Sequence, residues 1–168
     1  MLQADARARL LIAGQAPGRK VHASGIPFDD ASGERLRDWL GLDRDAFYDA
    51  ARVAIVPMGF CYPGKGASGD LPPRPECAAT WHPRLLPQLR EVRLTLAIGR
   101  YAQAWHLPEA GATLTEAVAA WRAHWPRIVA LPHPSPRNRA WLKRHPWFER
   151  ELLPALRERI AEVLAQGR

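Results

Sequence analysis

The sequence predicts an α/β fold in which helices are layered on a parallel sheet. Four short apolar runs recur along the 168 residues, and stretches with helical character lie between them. Each run has the length of a strand and is apolar on both faces, which is typical of strands in a buried parallel sheet. Because strands alternate with helices, we expect layers that are joined by right-handed crossovers.

The elements follow one another at intervals along the chain. The strands are expected at 9–13, 53–56, 94–98 and 128–131, and the helices between them at 32–41, 76–90, 100–106 and 113–124. The last helix, at 146–165, has the clearest pattern. Its apolar residues form one stripe: Phe148, Leu152, Leu156, Ile160 and Val163. No linker, low-complexity segment or internal repeat divides the chain, so we expect a single domain over residues 1–168.

The charge of the chain favours a polyanionic partner. Lys and Arg total 24 against 17 Asp and Glu, which gives a formal net charge of +7 and a pI near 10.2. Such a balance attracts nucleic acid through counterion release and long-range steering. A generally basic proteome would produce the same balance, and charge alone does not separate the two interpretations. The crowding of basic residues at 137–144, beside the strongest motif of the chain, favours DNA.

Composition also bears on the compartment and on metals. No run approaches the roughly 18 apolar residues of a membrane span, so no membrane partner is predicted. Residues 1–5 lack the basic and apolar regions of a signal peptide, and we expect a cytoplasmic, nucleoid-associated location. The two cysteines, Cys61 and Cys77, show no zinc-binding spacing and are expected to be free thiols. No metal and no cofactor are predicted.

Loops rich in glycine, proline and polar side chains follow three of the four predicted strands. Residues 14–18 (GQAPG) follow the first, residues 57–64 (PMGFCYPG) the second and residues 132–139 (PHPSPRNR) the fourth. In an open α/β sheet, ligands bind beyond the carboxyl ends of the strands. The sequence therefore predicts a functional site where these loops meet. The long loop at 61–73 is a further candidate for function.

Two motifs contain candidate catalytic residues, one in the loop after the fourth predicted strand and one that follows the first loop. His133 stands between two prolines, whose stiff backbone suits a preorganised site, although a loop histidine is also compatible with an incidental surface position. Residues 25–33 (GIPFDDASG) place an aromatic ring and two carboxylates before a helix. For this motif taken alone, Asp30 or Ser32 as a simple helix cap is favoured by about two to one.

These motifs resemble those of the uracil-DNA glycosylase superfamily, and they occur in the family's order. Residues 14–18 resemble its G-x-x-P-G loop, residues 25–28 its G-x-P-F segment and residues 133–135 (HPS) its H-P-S motif. Residues 61–64 and 75–76 resemble a region of the iron–sulfur branches. The resemblance covers most of the chain. It implies the family's fold, a three-layer α/β/α sandwich with a short, mainly parallel, four-stranded central sheet.

The resemblance implies a monofunctional DNA glycosylase. Such an enzyme flips uracil, or a related deaminated base, out of DNA and hydrolyses its N-glycosidic bond without a cofactor. Phe28 would stack on the flipped base, and Gln15, Ala16 and Phe60 would line the base pocket. His133 would donate a hydrogen bond to a base carbonyl oxygen as negative charge develops there.

The hypothesis for the water-activating carboxylate follows from a departure in the first loop. Some branches of the family have an acid there, where this chain has Gln15 and Ala16. Another branch uses an aspartate in a G-D-x-S-G segment, and residues 30–33 (DASG) match it, with Asp29 in place of the glycine. Asp30 is therefore the residue expected to position water and to stabilise the sugar cation. Asp29 is its nearest rival.

Residues that follow the H-P-S motif are the predicted DNA contacts of a protein expected to be a monomer. They are Ser135, Arg137, Asn138, Arg139 and Lys143. Pro57 departs from the family, because it stands near the place where the family reads uracil with an asparagine. That departure leaves the backbone of Gly59 or Phe60 to read the base edge. The cysteines depart as well: two thiolates cannot hold a cluster that needs four ligands, so no iron–sulfur cluster is predicted.

Two other functions compete with the glycosylase hypothesis. The first is a DNA-binding module that kept the fold and the basic surface but lost turnover, which Pro57 and the missing first-loop acid support. The second is a small hydrolase of free nucleosides. The basic run at 137–144 argues against that hydrolase, because a single nucleotide does not need so extended a positive surface. The sequence leaves the preferred lesion and strand state open.

Overall fold

The centre of the fold is a four-stranded sheet in which all strands are parallel. A computed structural model describes residues 1–109 and 113–165. The sheet consists of β1 (Leu10–Ala13), β2 (Val53–Ile55), β5 (Leu94–Ile98) and β6 (Ile128–Leu131), and its order is β2-β1-β5-β6. A separate antiparallel hairpin is formed by β3 (Lys65–Gly66) and β4 (Gly69–Asp70). The predicted α/β fold with a short four-stranded parallel sheet is confirmed.

Helices surround this sheet and connect its strands. They are α1 (Arg19–Ser24), α2 (Ala31–Leu40), α3 (Arg44–Tyr48), α4 (Pro75–Leu85), α5 (Gly99–His106), α6 (Leu114–Ala119), α7 (Arg139–Arg144) and α8 (Leu153–Ala165). Single 3₁₀ turns lie at Leu86–Gln88, Trp121–Ala123 and Pro136–Asn138, and a π turn at Phe148–Leu152 leads into α8. None of the helices in the described ranges is long and apolar enough to cross a membrane.

The helices differ from the sequence prediction at their ends, in three short helices that were not predicted, and at 113–124, where α6 ends at Ala119 and a separate 3₁₀ turn follows. The helix expected at 76–90 stops at Leu85 and tightens into a 3₁₀ turn, because Pro87 lacks the N–H that a further helical turn needs. The helix expected at 146–165 begins with a π turn. Helices α1, α3 and α7 have five or six residues each, which is too short to produce a readable apolar period.

The sheet buries apolar side chains on both of its faces. Along β1, Leu10 and Ile12 belong to the main core, which also contains the apolar stripe of α8. Leu11, on the opposite face, belongs to a smaller cluster together with Ala54 and Leu89. This alternation follows from the two-residue period of a strand. It explains why the strands read as continuous apolar runs.

A buried histidine, His82, and a partly buried one, His106, lie side by side where α4 and the end of α5 meet. The rings of His82 and His106 have centroids 6.4 Å apart. His82 Nε2 lies 3.0 Å from the carbonyl oxygen of Pro57, whereas His82 Nδ1 and His106 Nε2 have no hydrogen-bond partner among the described residues. Burial, with a smaller contribution from His82, lowers the pKa of His106 to about 4 from its ordinary value of 6.5.

We expect this burial to make the fold sensitive to acid. Between pH 6.5 and pH 4 the unfolded chain binds a proton at His106 that the folded chain does not, so stability is full above pH 6.5 and is lost as the pH falls. The loss amounts to at most about 3 kcal/mol. Urea unfolding at pH 7 and pH 4.5 should show a smaller loss for His106→Leu than for the wild type. Equal losses would contradict this assignment.

Candidate active site

A cavity of about 510 Å³ opens at the carboxyl edge of the sheet. The loops after β1, β2 and β6 line it, which confirms that the three glycine- and proline-rich loops meet at one edge. The segment before α2 and the β3–β4 hairpin complete the wall. The residues that line the cavity include Gln15, Ala16, Gly18, Phe28, Asp30, Pro57, Gly69, Asp70, His133, Ser135, Arg137 and Asn138.

Backbone hydrogen bonds hold the first two loops together. The N–H of Met58 donates to the Gly14 carbonyl at 2.8 Å, and the N–H of Gly59 donates to the Gln15 carbonyl at 2.9 Å. Gly59 also permits close packing, because a Cβ there would lie 3.0 Å from Pro73 Cβ and 3.4 Å from Ala16 Cβ. The cavity wall is therefore preorganised in this region.

Phe28 is held in a left-handed backbone conformation, with φ of +56°. This conformation is sparsely populated for a bulky residue and marks a constrained turn. The Phe28 ring lies against Gly14, where a Cβ would approach Cζ to 3.3 Å. Gly33 makes the turn possible, since a Cβ at that position would lie 1.7 Å from the Phe28 carbonyl oxygen. The glycine of the D-x-S-G segment is therefore required by sterics.

Asp30 caps α2 and also lines the cavity. Its Oδ1 accepts a hydrogen bond from the Gly33 N–H at 2.9 Å, while Oδ2 has no hydrogen-bond partner among the described residues. Asp29 is placed differently: its Oδ1 lies 3.0 Å from Arg44 Nη2 in an ion pair, and it is not among the lining residues. The helix-cap and active-site interpretations of Asp30 are thus compatible, and the geometry favours Asp30 over Asp29.

His133 is held by the H-P-S motif and by Asn138, which follows it. The N–H of Ser135 donates to His133 Nδ1 at 3.2 Å, and the side-chain amide of Asn138 donates to the His133 carbonyl at 2.7 Å. Burial lowers the pKa of His133, and the negative charges of Asp30 and Asp70 offset part of that shift. A neutral ring whose Nδ1 accepts a hydrogen bond has its proton on Nε2. His133 can therefore act as a neutral donor.

The predicted DNA-contacting residues divide into two groups. Ser135, Arg137 and Asn138 line the cavity, and a Cβ on Gly69 would lie 3.4 Å from Arg137 Nη1. Arg137 therefore approaches the hairpin across the cavity mouth. The other two residues, Arg139 and Lys143, line a second cavity of about 410 Å³ beside α2. Both groups lie on the run that follows His133.

Phe60 does not lie where the base-binding prediction expected it. Its ring is stacked on His82, with 6.1 Å between centroids, and packs on the smaller apolar cluster. The Phe60 N–H donates a hydrogen bond to Cys77 Sγ at 3.3 Å, and the Gly59 N–H donates one to the carbonyl oxygen of Gln15. Neither backbone donor is available to a base. We therefore leave Phe60 out of the proposed base-binding set.

Pro57 lines the cavity where the family was expected to present an asparagine. Proline supplies no donor, and its carbonyl oxygen is occupied by His82 Nε2 at 3.0 Å. Burial lowers the pKa of His82, so the contact comes from a neutral ring. This part of the wall therefore offers a base little beyond apolar contact.

Asp70 is the cavity residue that the sequence analysis missed. It ends the hairpin, and its Oδ1 accepts a hydrogen bond from the Tyr62 hydroxyl at 3.2 Å. The length of the loop at 61–73 was the available signal, and it indicated a functional segment without singling out a residue. Asp70 adds a second carboxylate to a site that was expected to contain one.

The residues of this chain do not fit an iron–sulfur cluster. The two cysteines are too few for a cluster with four ligands, and the Sγ of Cys77 accepts the Phe60 N–H. Within residues 1–109 and 113–165, no group of three or more His, Cys, Asp or Glu side chains is arranged to hold a metal ion.

The chain matches one protein-family model, which is described as the uracil DNA glycosylase superfamily. The match extends over residues 2–157 and so includes the three strand-end loops, the segment before α2 and the hairpin.

Proposed function

The chain belongs to the uracil-DNA glycosylase superfamily, and we propose that it hydrolyses the N-glycosidic bond of uracil, or of a related deaminated base, in DNA. The product is an abasic site. One observation supports this most: the cavity at the sheet edge brings together an aromatic ring, a neutral histidine donor and a carboxylate, which are Phe28, His133 and Asp30. These are the groups that base capture and glycosidic cleavage require.

The first step is capture of an extruded nucleotide. A base inside a duplex is out of reach of the protein, so it must be flipped, and aromatic stacking together with hydrogen bonds to its edge then hold it. Phe28 offers the stacking surface, and its turn is rigid because Gly33 packs against the Phe28 carbonyl. Gln15 and Ala16 form the adjacent wall.

His133 serves the bond-breaking step. As the bond between C1′ and the base nitrogen breaks, its electron pair moves to the base, which becomes an anion. The Nε2–H of a neutral His133 donates a hydrogen bond to a carbonyl oxygen of that anion. Because Ser135 and Asn138 hold the ring and its backbone, the donor needs no reorganisation as charge develops.

Asp30 acts on the sugar side of the reaction. Loss of the base leaves positive charge on C1′, and a nearby carboxylate stabilises that charge and positions the attacking water. Asp30 is the N-cap of α2, where the partial positive charge of the helix N-terminus interacts favourably with a carboxylate. The water oxygen then bonds to C1′, its surplus proton passes to a carboxylate of the site or to solvent, and the sugar becomes the abasic product.

DNA binding is supported by charge and its position. The net charge is +7, and Arg137 stands at the cavity mouth, with Arg139 and Lys143 on the neighbouring α7. These side chains suit phosphates on either side of a flipped nucleotide. We expect duplex binding to weaken steeply between 50 and 200 mM salt, because each phosphate contact releases counterions.

A panel of labelled oligonucleotides tests the proposal. The panel contains uracil, hypoxanthine or xanthine, single-stranded and paired, and alkali reveals abasic sites as strand breaks. Breaks at one or more of these lesions, without breaks in undamaged DNA, are expected. The absence of breaks throughout the panel would contradict the proposal.

Pro57 gives a second candidate function some support. The cavity wall has no amide donor at that position, and the first loop has no acid. A binding module with the same fold would show salt-sensitive duplex binding without base release. The same panel, assayed for binding and for strand breaks, separates the two functions.

A further inference from the structure

The β3–β4 hairpin brings a second carboxylate, Asp70, into the cavity that contains Asp30 and His133. Asp70 and Lys65 pair across the hairpin, which places Asp70 at the end of β4. Asp70 comes 40 residues after Asp30 in the chain, so folding alone brings the two carboxylates into one site.

The two oxygens of Asp70 have different surroundings. Oδ1 accepts a hydrogen bond from the Tyr62 hydroxyl at 3.2 Å. Oδ2 lies over the first loop, where a Cβ built on Gly18 would be 3.8 Å away. That loop is GQAPG and contains no acid of its own. Asp70 thus places a carboxylate oxygen beside a loop that has no acidic side chain.

Asp30 and Asp70 differ in how each is held. Asp30 gives one oxygen to the Gly33 N–H at a helix N-terminus, a position that favours retention of negative charge. Asp70 is exposed, contacts a neutral hydroxyl and has open solvent beside it. Both carboxylates are close enough to His133 to oppose the effect of burial on its pKa. Because Asp70 is the more exposed of the two carboxylates, it is the better placed to pass a proton on to solvent.

We propose that Asp70 is a second catalytic carboxylate, which accepts the proton of the water that attacks C1′ while Asp30 stabilises the sugar cation. This inference rests on the proposed function. In the step, the water oxygen forms a bond to C1′, the electron pair of the broken C1′–N bond stays on the base, and the water proton moves to Asp70 Oδ2. Exchange with solvent then returns Asp70 to its ionised form.

The test measures single-turnover base release from a uracil-containing duplex and, separately, duplex affinity. We expect Asp70→Asn to lower the rate by about 100-fold or more. Its duplex affinity should be equal or higher, because a negative charge near phosphates is removed. Tyr62→Phe, which removes only the hydrogen bond to Oδ1, should lower the rate by about fivefold. Asp29→Asn, a carboxylate change outside the cavity, is the matched control and should leave the rate unchanged.

A chemical rescue separates catalysis from a merely structural role. Formate should restore part of the rate of Asp70→Ala, since a small carboxylate can occupy the emptied space and accept the proton. An Asp70→Asn rate within threefold of the wild type would overturn the inference. So would equal losses in Asp70→Asn and Tyr62→Phe with no rescue by formate. A wild type that releases no base from any lesion of the oligonucleotide panel would instead refute the proposed function on which the inference rests.

Discussion

His133→Ala is expected to lower the rate of base release by about 100- to 1,000-fold, the usual effect of removing one preorganised donor to a developing anion. The structure explains why the effect should fall on the chemical step. Ser135 and Asn138 fix the ring and its backbone, and burial lowers the pKa of His133, so a neutral Nε2–H donor is in place before the bond breaks. Single-turnover assays with enzyme in excess measure that step directly.

His124→Ala is the matched control for this prediction. His124 follows the Trp121–Ala123 turn and is not among the cavity-lining residues. Its replacement should change neither the rate nor duplex affinity. If His133→Ala retained a rate within threefold of the wild type, the assignment of His133 as the donor to the base would be wrong.

Asp30→Asn is expected to lower the rate by at least about 100-fold with almost no loss of stability. Asparagine is as good an N-cap as aspartate, so the hydrogen bond from the Gly33 N–H is kept and the turn at Phe28 survives. What is lost is the negative charge beside the sugar cation. Thermal unfolding and single-turnover kinetics on the same preparations separate these two effects.

Asp29→Asn tests whether the neighbouring carboxylate has been chosen correctly. Asp29 forms a partly exposed ion pair with Arg44, and such pairs contribute at most about 1 kcal/mol. We expect its replacement to leave the rate unchanged. A large loss in Asp29→Asn together with a normal rate in Asp30→Asn would reverse the assignment.

The sequence was sufficient to predict the sheet and the place of the site. Apolar runs of four or five residues identify buried strands, and parallel strands bring their carboxyl ends, with the loops that follow, to one edge. Gln15, Phe28, Asp30 and His133 accordingly line one cavity. The order β2-β1-β5-β6 could not be read from these runs, because all four are similarly apolar and none specifies its neighbour.

The prediction of site residues failed at Phe60 and Asp70, where the path of a loop decides whether a side chain reaches the cavity. Phe60 lies in the loop after β2, yet its ring stacks on His82 and packs against the smaller apolar cluster instead of lining the cavity. Asp70 was missed because the strands of its hairpin have two residues each and show no alternation. The position of Asp70 beside the GQAPG loop depends on tertiary contacts, which the local sequence pattern does not encode.

The central claim is that this cavity releases a damaged base by hydrolysis. The most direct test is to quantify free uracil by mass spectrometry after a single turnover on a uracil-containing duplex, with and without borohydride, while duplex binding is measured in parallel. We predict one equivalent of free base, an intact abasic strand and no borohydride-trapped protein–DNA adduct. Salt-sensitive binding without free base, from this duplex and from matched duplexes that contain hypoxanthine or xanthine, would contradict hydrolysis and favour the binding module. A trapped adduct would contradict the monofunctional route.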